Sequence, residues 1–143
     1  MADCCTCTDT LQYDTPFPDG LQVGTAMKIR GYFPSGTDRS AINLACSTRT
    51  DDDIALHFNP RFDQNKVVLN SRVNGVWGTE EFGPHYPFQY GQLFEVMIIT
   101  TKDGFKVLVG NQSYHFFCHR MPLQRVRYLV VGRNIILESV NIC

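Results

Sequence analysis

Almost no stretch of this chain repeats its apolar residues at the spacing of a helix face. Short apolar runs are instead cut off by turn residues at intervals of roughly 8–12, the pattern of a strand sandwich or barrel. Pro34-Ser35-Gly36 separates Met27–Phe33 from Ala41–Ser47, and Asn74-Gly75, a two-residue hairpin signal, joins Val67–Ser71 to the run that holds Trp77. Asp103-Gly104 stands between Phe94–Thr100 and Phe105–Val109, while Gly110-Asn111 and Arg133-Asn134 precede Tyr114–Phe117 and Ile135–Val140. Gly83-Pro84-His85-Tyr86-Pro87 reads as loop, because its prolines cannot donate to a central ladder. The chain has no repeat, low-complexity tract or linker. The predicted fold is all-β: one antiparallel two-sheet β-sandwich over residues 13–143, preceded by a short flexible tail of residues 1–12.

One of these runs carries chemistry. If Leu56–Arg61 is extended, Leu56, Phe58 and Pro60 point one way and His57, Asn59 and Arg61 the other. Asn70 shares that polar face if the next run pairs with it, because Val67 and Leu69 take the buried parity. Trp77 and Glu80 then arrive across the Asn74-Gly75 hairpin. They are three residues apart, so a regular strand would put them on opposite faces. Both reach one site only if the ladder is disturbed between them, and Gly78 is the residue most able to adopt such a bulge. An aromatic plate ringed by His, Asn, Arg and Glu suits a sugar: the plate covers pyranose C–H groups while the polar groups bond hydroxyls.

Composition narrows the alternatives. Charge is balanced, with 13 basic and 14 acidic side chains, so no electrostatic footprint for nucleic acid is present. Apolar runs such as Val96–Ile99 are far shorter than the ~20 residues a spanning helix needs, so no direct membrane insertion is expected. The first twenty residues carry Asp3, Asp9 and Asp14 and lack an apolar core, so no signal peptide is expected and the thiols are read as reduced. Cys4, Cys5 and Cys7 crowd the tail, as reactive thiols or as points of cross-linking, acylation or soft-metal capture. His115, Cys118 and His119 lack a Cys-x-x-Cys partner, so no metal and no cofactor are expected. Nor is an enzyme: a glycosidase needs two carboxylates about 5–9.5 Å apart. Glu80 is expected to pair with Arg61, Glu81 to point elsewhere, and Asp51 to Asp53 to form an acidic loop without set geometry. Arg125 and Arg127 read as a solvated strand face.

His57-x-Asn59-x-Arg61, then Asn70, then Trp77-x-x-Glu80, resemble the hallmark of the galectin carbohydrate-recognition domain. Pro87-Phe88-Gln89, Gly104-Phe105-Lys106 and Tyr114-His115 through His119-Arg120 extend the likeness, which runs from about Pro16 to the C-terminus. The resemblance implies a jelly-roll sandwich whose concave sheet binds β-galactosides of the lactose and N-acetyllactosamine type. Trp77 would stack on galactose; His57, Asn59 and Arg61 would bond its axial 4-hydroxyl; Asn70 and Glu80 would bond the 6-hydroxyl. Arg61 and Glu80 would also reach the second sugar. A prototype single-domain member is implied to form a non-covalent homodimer that cross-links glycoproteins or glycolipids in cell adhesion, after leaving the cytosol by an unconventional route.

One position departs from the family pattern. Where a second Arg follows the Glu by two residues, this chain has Phe82. Weaker binding of lactose-like disaccharides, or a changed preference at the second sugar, is expected. Arg72 or Arg39 would be the substitutes, or Phe82 itself a second stacking surface. The rival reading is a galectin-fold module that has lost or altered its sugar specificity and acts through protein contacts.

Overall fold

The computed structural model describes residues 13–143. The expected tail and its cysteines lie outside them. Two antiparallel sheets face each other. The first runs in the order β1 (Tyr13–Pro16), β11 (Tyr128–Val131), β3 (Ile42–Ala45), β4 (Ile54–Arg61), β5 (Lys66–Val73) and β6 (Val76–Trp77), with β7 (Glu81–Phe82) also paired to β5. The second runs β10 (Gln112–Cys118), β9 (Gly104–Val109), β8 (Phe94–Thr100), β2 (Ala26–Tyr32) and β12 (Ile136–Ile142). Among the described residues the single helical segment is a 3-10 turn, Leu123–Arg125.

Period-two alternation explains the layering. In β8 Phe94, Val96, Ile98 and Thr100 are buried while Glu95, Met97 and Ile99 are partly exposed. In β4 the inward set is Leu56 and Phe58, both without solvent exposure. These meet Met27, Ile29, Val96, Ile98, Val107 and Phe117 of the second sheet in one core. The polar residues of β4 are thereby forced onto the opposite, outer face.

The Asn74-Gly75 hairpin has the backbone its sequence demands, with φ of 54° and 79°, the left-handed pair of a tight two-residue turn. Asp53 fixes it from outside: its carboxylate accepts from Asn74 N at 2.7 Å and Gly75 N at 2.9 Å. Arg125 donates to the same carboxylate at 2.8 Å. That bond, with the two amides, holds the Asp53 carboxyl well below the usual range, down to about 2. Two expectations are corrected here. Arg125 is an ion-pair partner on a 3-10 turn rather than part of a solvated strand, and Arg127 donates to Pro18 O at 3.1 Å. The acidic loop has a definite geometry at Asp53. The pairing joins residues far apart in sequence, so composition gave no sign of it.

Candidate functional site

The register of β4 on β5 assembles the site. His57 lies directly opposite Asn70, Asn59 opposite Val68 and Arg61 opposite Lys66, so all share the outer face. The next strand is broken. Trp77 pairs with Arg72, and Glu81 pairs with Leu69. Four steps on one strand therefore span three on β5, and the extra residue is a bulge within 78–80. Glu81 faces inward with Leu69, whereas Glu80 turns outward to join Trp77. The disturbance required by their spacing is present. Gly78 earns its place through lack of room: a Cβ there would stand 2.7 Å from Arg120 Nη1 and 3.2 Å from Asn70 Oδ1.

The result is a groove of about 340 Å³ lined by His57, Arg61, Val68, Asn70, Trp77, Gly78 and Glu80. Trp77 is 45% exposed, and its indole stands beside the His57 ring at 5.0 Å between centroids. The Arg72 guanidinium lies 5.1 Å from the indole centroid. Arg72 is anchored by bonds from its Nη2 to Thr50 O (2.7 Å) and Asp52 O (2.5 Å). It thus supports the plate rather than extending to Glu80. Arg39 pairs with Asp63 at 3.3 Å. Glu80 is paired with Arg61 at 3.5 Å.

Asn59 occupies a different place from the others. Asn70 is no less buried, but Asn59, unlike Asn70, does not line the groove: its Nδ2 donates to Ser40 O at 2.6 Å, and its Oδ1 accepts from Arg61 Nε at 2.8 Å. Arg61 Nη1 also donates to Gln64 Oε1 at 3.0 Å. The guanidinium is therefore held on three edges, with Nη2 toward Glu80.

His57 Nδ1 lies 2.7 Å from Asn43 Oδ1. With Nδ1–H donating to that oxygen, Nε2 is the acceptor nitrogen of the ring. Burial, reinforced by the positive charges of Arg61 and Arg72, pushes the imidazole pKa down to about 4, so the ring is neutral at physiological pH. The groove thus combines one apolar plate, one neutral acceptor, one oriented cation and one carboxylate. Among the described residues no second carboxylate lines it: Glu81 is turned away, onto His115 Nε2 at 2.7 Å and Arg120 at 2.9 Å. Among the described residues no group of three or more His, Cys, Asp or Glu could hold a metal ion.

A family model described as galactoside-binding lectin matches residues 12–142. This chain belongs to the galectins. The galectin is 49% identical to human galectin-7 over 130 residues, 91% of this chain and 96% of that one. It is 42% identical to bovine galectin-4 over 133 residues, 92% of this chain but 40% of that longer protein. Among solved structures, a doubly substituted human galectin-16 superposes with a TM-score of 0.82 at 29% identity, covering 92% of this chain and 94% of that one. Sheep galectin-11, solved in complex with glycerol, gives 0.81 at 29% identity over 92% and 96%. The galectin is a carbohydrate-binding protein and not an enzyme.

Sequence reasoning missed four contributors to the galectin's groove. Val68 was recoverable from its parity with Asn70. Gln64 sits in the turn three residues after Arg61 but carried no parity signal, and Asn43 and Arg120 meet their site partners only through the folded strand order.

Proposed function

We propose that the groove binds galactose-terminated disaccharides of the lactose and N-acetyllactosamine type. The supporting observation is that Trp77, Glu80, His57, Arg61 and Asn70 converge on one groove through the bulge at Gly78. Trp77 covers the apolar side of galactose, His57 Nε2 and Arg61 hold the axial 4-hydroxyl, and Asn70 and Glu80 take the 6-hydroxyl. Asn59 acts through Arg61. Each neutral hydrogen bond nets only about 1 kcal/mol against water, so a single open site binds weakly. A homodimer then supplies the strength by bringing two sites to one surface. Retention on an immobilised galactoside, with elution by lactose and not by sucrose, tests the reading. Passage unretained would favour the rival module acting through protein contacts.

At the second-sugar end the groove offers a ring in place of the family's guanidinium. Phe82 lies opposite Val68 on the outer face, is 50% exposed, and has the Lys66 ammonium 5.1 Å from its centroid. Phe82→Arg restores a charged donor beside Glu80 and is expected to tighten lactose binding roughly three- to tenfold by calorimetry. An unchanged affinity would show that this position does not limit the site.

The neutral His57 sets the pH dependence. Its acceptor nitrogen is lost only on protonation, and with a pKa of about 4 this happens well below the ordinary histidine range. Lactose affinity is expected to stay flat from pH 8 to 5 and to weaken as pH falls toward 4. A decline centred near pH 6.5 would contradict this assignment.

A further inference from the structure

Arg120 follows β10 and approaches the site from beneath. Its guanidinium lies over the buried Phe117 ring, 4.4 Å from the centroid. Nη1 donates to Asn70 Oδ1 at 2.9 Å and Ser71 Oγ at 3.1 Å, and Nη2 donates to Thr79 O at 2.8 Å and Glu81 Oε2 at 2.9 Å. His115 holds the other Glu81 oxygen at 2.7 Å. One planar cation thus ties β5, the bulge at Thr79, Glu81 just beyond it and, through Glu81, the edge of the second sheet.

Two consequences follow from donor and acceptor chemistry. An asparagine amide can turn over and present either end to a ligand. A guanidinium only donates, so the end of Asn70 against Arg120 must be its oxygen. That oxygen also accepts from Ser71 N at 2.8 Å, while Nδ2 donates to Gly78 O at 3.0 Å. The second Nδ2 hydrogen is what remains for a ligand, so Asn70 meets a sugar as a donor. The bond to the Thr79 carbonyl holds the bulge in the form that turns Glu80 outward beside Trp77.

We propose that Arg120 is a positioning residue of the galactoside site, fixing Asn70 as a donor and the 78–80 bulge in its binding form, and so setting discrimination for the sugar hydroxyl that accepts from Asn70. The proposal rests on the galactoside reading for its ligand, but not for its clamp. A purely structural role for Arg120 would lie in its charge beside Glu81. Arg120→Lys keeps that charge but cannot span Asn70, Thr79 and Glu81 together.

The test compares wild type, Arg120→Lys and Gly78→Ala; the last crowds Nη1 from the groove side and serves if the lysine variant does not fold. Three quantities are read: melting temperature, the affinity ratio of methyl β-galactoside to its 6-deoxy analogue, and acrylamide quenching of ligand-free Trp77. The expected result for Arg120→Lys is a near-native melting temperature, galactoside affinity lower by about tenfold, a ratio that collapses toward one, and altered Trp77 quenching. Native affinity, ratio and quenching in a folded variant would overturn the proposal. Wild type that ignores galactosides, with quenching still altered in the variants, would sink the galactoside reading and retain the clamp. Unaltered quenching in the same case would sink both.

Discussion

Arg61→Ala is expected to reduce lactose affinity by a hundredfold or more, and Asn70→Ala by roughly tenfold. The difference comes from what each deletion leaves behind. Arg61 donates to the buried Asn59 Oδ1 at 2.8 Å, to Gln64 at 3.0 Å, and pairs with Glu80 at 3.5 Å. Under the proposed galactoside reading, removing it takes away a charged donor to the sugar; it also leaves Glu80 without its counter-ion and strands a buried amide oxygen. A lost charge-assisted bond is worth about 1.5–3 kcal/mol, and an uncompensated partner adds to that. Asn70 is neutral, and most of its bonds go to the protein. Its loss removes one acceptor for Arg120 and, under the proposed reading, one donor to the sugar. Calorimetry on both variants decides the matter, and equal losses would argue against an Arg61–Glu80 network shared across the site.

The second large effect concerns stability. Phe58 sits between His57 and Asn59 on β4, points to the core with no solvent exposure, and packs edge-on against Phe88 and Tyr114 at centroid distances of 6.3 and 6.2 Å. Phe58→Ala is expected to cost about 3–5 kcal/mol, from lost burial plus the cavity left behind. In a domain of this size that lowers the melting temperature by about 10 °C or more. Measured well below the transition, lactose affinity should change far less than in Arg61→Ala, because the register of β4 on β5 is held by backbone bonds. A thermal melt showing a shift of only a degree or two would mean that the core under the site is not packed as described.

Much of the site was legible because a strand converts sequence parity directly into side-chain direction. Once His57, Asn59 and Arg61 were read as one face, Asn70 followed from the hairpin parity, and His57 indeed stands opposite Asn70. The spacing of Trp77 and Glu80 even demanded the bulge. What parity could not show is which side chains the protein itself engages. It gave Asn59 the same direction as His57 and Arg61, yet its amide bonds the Ser40 carbonyl and Arg61 and does not line the groove. Nor could it show bonds made across the strand order. Arg72 is spent on the 50–52 loop and Arg39 on Asp63, so neither replaces the guanidinium absent at Phe82. Arg120 and the Asp53–Arg125 pair are invisible for the same reason: each joins segments tens of residues apart through irregular backbone.

The most direct test of the central claim uses Trp77, the only tryptophan of the chain. Its emission is followed during titration with lactose, with sucrose and glucose as controls. A saturable change with lactose alone, absent in Arg61→Ala, is the expected result and places galactose on the indole. An emission spectrum unmoved by lactose up to high millimolar concentration would contradict the account.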